Sequence, residues 1–100
     1  MPIRHVVAFR LSDPDPQVRS AQAADAAERL RGLVGVVPSL RAMDAGANAL
    51  DLPGNWDLVL VADVDDAAGL DAYVTHPEHE KVAAFIGGIR ADRVAVDFEV

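Results

Sequence analysis

The sequence predicts an α+β domain in which a four-stranded antiparallel sheet carries its helices on one face, in the order β-α-β-β-α-β. Three observations carry that expectation. Ile3 to Leu11 and Trp56 to Val64 both alternate at period two, as strands do. Each is followed by an apolar stripe at helical spacing, the first dominated by alanine. Punctuating residues separate them: Pro14 and Pro16 before the first stripe, Gly35 and Pro38 after it, and Asp65-Asp66 before the second.

In the first strand Ile3, His5, Val7, Phe9 and Leu11 share one face, while Arg4, Val6, Ala8 and Arg10 share the other. Asp13 or Asp15 can cap the next helix, with a proline at its first position. That helix is expected to reach about Val34, turning Ala23, Ala26, Ala27, Leu30, Leu33 and Val34 inward. Its small alanines let it lie close to whatever it covers. Ser39 to Ala47 reads as a second strand, and the segment from Asn48 to Asn55, with Pro53-Gly54, as a loop.

In the third strand Trp56, Leu58, Leu60, Ala62 and Val64 alternate with Asp57, Val59, Val61 and Asp63. Asp65-Asp66 then caps a short helix with Leu70, Tyr73 and Val74 on one face. His76-Pro77 interrupts it, because proline disfavours helical geometry in the residue before it. A further helix, with Val82, Phe85 and Ile86 inward, ends at Gly87-Gly88. Arg90 to Glu99 closes the domain as a strand with Val94, Val96 and Phe98 on one face. No linker or repeat divides the chain, so residues 1–100 form one domain.

Helices on one face leave the other open. The open face is expected to carry Val6, Ala8, Val59, Val61 and Ala95, beside the polar Arg4, Arg10, Arg93 and Asp97. An apolar sheet face left in water is a large exposed patch, which soluble monomers rarely keep. Packing against the sheet of a second copy removes it, so a homodimer is expected.

Composition narrows the function classes. With sixteen acidic against nine basic residues the net charge is −7, which repels a phosphate backbone, and nucleic acid is not expected as a partner. The absence of cysteine removes disulfides, thiolate catalysis and cysteine metal sites. No stretch approaches membrane-spanning length and the N-terminus lacks a signal-like apolar core, so a cytoplasmic protein without a membrane partner is expected.

The candidate chemistry lies in the histidines. Two of the three stand in Thr75-His76-Pro77-Glu78-His79, which puts His79 near the third position of the last helix. A helix N-terminus disfavours imidazolium, whereas Glu78 and Glu80 favour it, so the sign of the shift at His79 stays open. His5 and Tyr73 both lie on inward faces, and with His79 they can converge between sheet and helices. Val7, Phe9 and Trp56 are expected to line the resulting cleft, which takes a small apolar or aromatic ligand. Each residue also has a structural reading: His5 as a satisfied core residue, Tyr73 as a core aromatic with its hydroxyl at the rim, His79 as a surface or capping group. A metal site of His5, His76 and His79 fits poorly, because the bend at Pro77 aims the last two apart and His76 is placed to cap the helix. A haem has no support beyond a histidine near an apolar cleft. Asp63-x-Asp65-Asp66 lacks the ligand spacing and glycine of a calcium loop, and no phosphate loop, nucleophile elbow or dinucleotide fingerprint occurs. No metal or cofactor is therefore expected.

The N-terminal His5-Val6-Val7, Gly46 with Asn48, Tyr73 followed by His76-Pro77-Glu78-His79, and the closing Val94-Ala95-Val96-Asp97-Phe98 resemble the stress-responsive A/B barrel (Dabb) family in order and spacing. The resemblance covers nearly the whole chain and implies a ferredoxin-like fold assembled as a dimeric α+β barrel. The best-understood enzymes of that family are plant polyketide (olivetolic acid) cyclases, which close a linear tetraketide by an intramolecular aldol reaction. Carried over, the resemblance implies His79 as general base, Tyr73 as hydrogen-bond donor to the carbonyl or enolate, and His5 as the group holding the substrate and its charge. It equally admits a non-catalytic stress-response or ligand-binding dimer, since many members have no assigned reaction. Two departures bear on cleft shape: Ala62-Asp63-Val64 stands where the family is commonly aromatic, and the loop from Asn48 to Asn55 is peculiar to this chain.

Overall fold

Side chains that replace missing backbone partners set where the helices begin. Asp15 accepts from the Gln17 N–H at 2.9 Å, Asp66 from the Gly69 N–H at 2.8 Å, and His76 Nδ1 from the Glu78 N–H at 3.1 Å. Pro16 and Pro77 occupy first positions, where no donor is needed. The computed structural model, which describes all 100 residues, accordingly runs β1 (Ile3–Leu11), α1 (Pro16–Arg31), β2 (Leu40–Ala47), β3 (Leu58–Val64), α2 (Ala67–Val74), α3 (Pro77–Gly87) and β4 (Arg90–Glu99). The strands form one antiparallel sheet in the order β2-β3-β1-β4, the ferredoxin-like arrangement expected. No helix is long and apolar enough to cross a membrane.

The buried faces follow the strand periodicity. Val7, Phe9 and Leu11 of β1 and Leu58, Leu60, Ala62 and Val64 of β3 pack beneath α1, α2 and α3. Ala23, Ala26 and Ala27 are at most 2% exposed, so α1 approaches the sheet closely at these positions. This helix ends at Arg31 rather than near Val34. Tighter turns follow, with Leu33 N–H bonding the Leu30 carbonyl at 3.1 Å, and Gly35 takes φ +84°, a conformation costly for any residue with a Cβ. Leu33 and Val37 stay buried, but Val34 turns to solvent, against the expectation for it.

β3 begins two residues later than the alternation of Trp56 suggests. The Asp57 N–H bonds the Phe9 carbonyl, and the Asp57 carboxylate takes the Leu11 N–H at 2.8 Å and the Arg19 guanidinium at 3.3 Å. These bonds pull Asp57 toward α1 and turn Trp56 to the helix-free side of the sheet, where the Arg10 guanidinium lies 4.8 Å from its ring centre. Trp56 is therefore not a cleft residue.

The register of β4 brings the larger correction. Arg93, Ala95 and Asp97 stand opposite Phe9, Val7 and His5, whereas Val94, Val96 and Phe98 stand opposite Ala8, Val6 and Arg4. Cross-strand partners share a face. Ala95, Arg93 and Asp97 thus face the helical side, and the three large apolar residues join the open face. The expectation from sequence placed them the other way round, with Ala95, Arg93 and Asp97 on the open face. The helices, however, lie over β2, β3 and β1, and every residue of β4 is exposed. The open face consequently has an apolar centre of Val6, Ala8, Val59, Val61, Val94 and Val96, flanked by the Arg4–Asp63 and Arg10–Asp92 ion pairs.

Leu30 is 1% exposed at the centre of the helical side. Leu30→Ala is expected to cost about 2–5 kcal/mol of unfolding free energy in a urea titration. A loss below about 1 kcal/mol would contradict this packing.

Candidate active site

Where the helices stop short of β4, the inner face of β1 opens as a cleft of about 110 Å³. Its wall is largely apolar, with Phe9, Leu30, Leu60 and Ile86 contributing, and three polar side chains enter it: His5, His79 and Arg93. A wall of this composition suits a small molecule with an apolar body and a few polar atoms.

His5 is 6% exposed, and its Nδ1 bonds the Asp97 carboxylate across the β1–β4 ladder. An ionised carboxylate only accepts, so the ring hydrogen belongs on Nδ1 and Nε2 has no protein partner. His79 is fixed by a different acceptor, the Val74 carbonyl, 2.9 Å from its Nδ1. A carbonyl also only accepts, so His79 carries its hydrogen on Nδ1 and presents a lone pair at Nε2. Burial holds the His79 imidazole below its ordinary pKa of 6.5; the Val74 bond and Glu80 oppose that shift, and His5 and Arg93 add to it. At neutral pH this histidine is uncharged.

Tyr73 joins the two. Its ring centre is 4.4 Å from that of His79 and 6.3 Å from that of His5, the latter edge-on. It is fully buried, its hydroxyl has no protein hydrogen-bond partner, and burial pushes its pKa up to about 12. The phenol is therefore neutral, and it backs the cleft without entering the wall. His5, Tyr73 and His79 come together as the sequence suggests, and Val7 and Phe9 line the cleft. His76 stays at the cap of α3, and no group of three or more histidine or acidic side chains is placed to hold a metal ion.

Two functional candidates escaped sequence reasoning, Asp97 and Arg93. Their signal was the regular alternation of Arg93, Ala95, Asp97 and Glu99 with Val94, Val96 and Phe98. Reading it correctly needed the pairing with β1, which no local pattern specifies.

This constellation sits on a fold with known relatives. The family model for the stress responsive A/B barrel domain matches residues 3–100. The chain belongs to that family. An uncharacterized protein of Streptomyces coelicolor, SCO4036, is 34% identical over 82 residues, which is 78% of this chain and 79% of that protein. A dimeric ferredoxin-like protein of unknown function from Thermobifida fusca shares 36% identity with a TM-score of 0.83, covering 100% of this chain and 92% of its own. A dimeric protein of unknown function and ferredoxin-like fold from Bacteroides fragilis shares 26% identity with a TM-score of 0.86, covering 99% and 96%.

The state of His79 is linked to stability. Because its folded pKa lies below the unfolded value of 6.5, the unfolded chain binds the proton more readily just below that pH. The corresponding stability is present above pH 6.5 and is lost as pH falls through the folded value. Urea titrations at stepped pH are expected to show a shallower acid loss for His79→Gln than for the parent. Parallel profiles would refute the assignment.

Proposed function

We propose that the protein is a cofactor-independent acid–base catalyst of the cyclase, lyase or isomerase kind, acting on a small polyketide-like or aromatic substrate with His79 as general base. The observation that carries this reading is the His79–Val74 bond, which leaves a lone pair at Nε2 of a neutral imidazole on the cleft wall. A C–H bond flanked by two carbonyls is acidic enough for such a base. The proton goes to His79 Nε2 and the bonding electron pair to the carbonyl oxygen as an enolate; in a cyclisation the enolate carbon then attacks a second carbonyl of the same molecule, and the alkoxide so formed takes the proton back from His79 Nε2. His5, held at Nδ1 by Asp97, is assigned to position the substrate from the cleft wall. Tyr73 is assigned a positioning role through its ring contact with His79, since its hydroxyl does not reach the wall.

Size limits the substrate. A cavity of roughly 150 Å³ is enough to enclose benzene, so about 110 Å³ accepts a single short acyl segment or part of one ring. A longer ketide must leave the cleft over β4. The same small volume favours a second reading, in which the dimer holds an apolar ligand without turnover.

Exchange of α-protons tests the first reading without knowledge of the natural substrate. In D2O the protein is expected to accelerate deuterium uptake by small β-dicarbonyl compounds, read by proton NMR. His79→Gln is expected to lower that rate by about 100-fold or more. Exchange no faster than buffer, or an unaffected variant, would exclude the base role.

The open sheet face belongs to the same reading, as the seam of a homodimer. Its apolar centre and charged rim have the anatomy of a protein interface. Val96 is 60% exposed there and opposite Val6. Val96→Asp is expected to give a monomeric mass by light scattering at micromolar concentration, with an unchanged far-ultraviolet spectrum. A dimeric variant would place the seam elsewhere.

A further inference from the structure

Of the nine basic side chains, six hold carboxylates and Arg31 donates to the Ala45 carbonyl. Arg90 and Arg93 hold neither, although sixteen acidic residues are available in the chain. Arg93 stands opposite Phe9 on the helical side of the sheet and lines the cleft with His5 and His79. Both imidazoles in their neutral forms spend their N–H on Asp97 and Val74. Arg93 is then the one side chain of the wall that donates hydrogen bonds in every protonation state. A guanidinium beside an apolar recess, with no acceptor of its own, fits a ligand that brings one.

We propose that Arg93 is the specificity-determining residue of the cleft and that the ligand it selects is a small carboxylate with a short apolar body. The proposal rests on the reading of this cleft as the binding site and is independent of whether His79 acts as a base. A single planar fork matches one carboxylate by two parallel hydrogen bonds. A phosphate dianion would leave its second charge unmatched in an apolar wall, within a chain of net charge −7. The carboxylate also explains how an acidic protein takes an anionic substrate, because the selecting cation acts at contact distance, where salt screens least. With the carboxylate on Arg93, the apolar body is left to the apolar side chains of the same wall, Leu60 and Ile86 among them.

The test is a set of NMR titrations of the full chain, reading the imidazole signals of His5 and His79. Benzoate is the probe, with benzamide as its neutral counterpart and phenyl phosphate as the alternative anion. Benzoate is expected to saturate and to shift both histidines, and benzamide to bind at least about tenfold more weakly. Arg93→Gln is expected to weaken benzoate by about 10- to 100-fold and to leave benzamide unchanged. Arg93→Lys should restore part of the loss, and Arg90→Gln, on the same strand but outside the wall, should match the parent. No saturation by benzoate up to about 10 mM, equal binding to Arg93→Gln, or benzamide as tight as benzoate would overturn the proposal. Tighter phenyl phosphate would overturn the choice of a carboxylate. The two readings fail separately: Arg93-dependent benzoate binding without α-proton exchange removes the base and keeps the specificity residue. Exchange accompanied by Arg93-independent binding does the reverse.

Discussion

The pairing of β4 with β1 in the register that sets Asp97 against His5 is the constraint on which both faces of the sheet depend. Side chains alternate, so a slip of one residue would send the whole of β4 to the wrong side. Val94, Val96 and Phe98 would then face the helical side, where no helix lies over β4, and Arg93 and Asp97 would enter the apolar centre of the open face. The observed register keeps both charges off the apolar centre of the open face and sets them on the side of the cleft. The His5–Asp97 contact lies on that same side, fixing the imidazole tautomer from the edge strand.

His79 shows how local and tertiary effects divide. From sequence, the helix N-terminus and the flanking Glu78 and Glu80 pull in opposite directions. In the folded protein neither is the leading cause. Glu78 is engaged by Lys81 at 2.9 Å, Glu80 acts against the shift, and burial against the sheet decides it. Burial is a property of the assembled layers, so the sign could not be read from the helix alone.

The strands of β1 and β3, aspartate caps ahead of α1 and α2, the break at His76-Pro77 and the inward faces of His5 and Tyr73 were legible, because each rests on periodicity or on a short-range bond. Most of what failed had long-range causes. Trp56 continues the alternation of β3 on paper, but Asp57 is drawn toward Arg19 and the Leu11 N–H, and the chain twists at that point. Val34 fits the helical stripe, but the helix closes at Arg31 before reaching it. Hydrophobicity misassigns the inner face of β4, because on this strand it does not mark the covered side. On an edge strand beyond the reach of the helices, it marks the side where covering must come from elsewhere.

That edge strand ties the site to assembly. In a single chain β4 is exposed on both faces, held to the rest of the protein by its ladder with β1. An exposed edge strand with an apolar row is an aggregation hazard unless something covers it. Covering the open face by a second copy would bury Val94, Val96 and Phe98 and restrain the backbone that also carries Arg93 and Asp97. The two roles proposed for the strand do not compete, since alternation assigns them to opposite faces. They are nevertheless coupled, because the backbone between them is shared. On this view dimerisation contributes to the site by restraining the strand that carries its polar row.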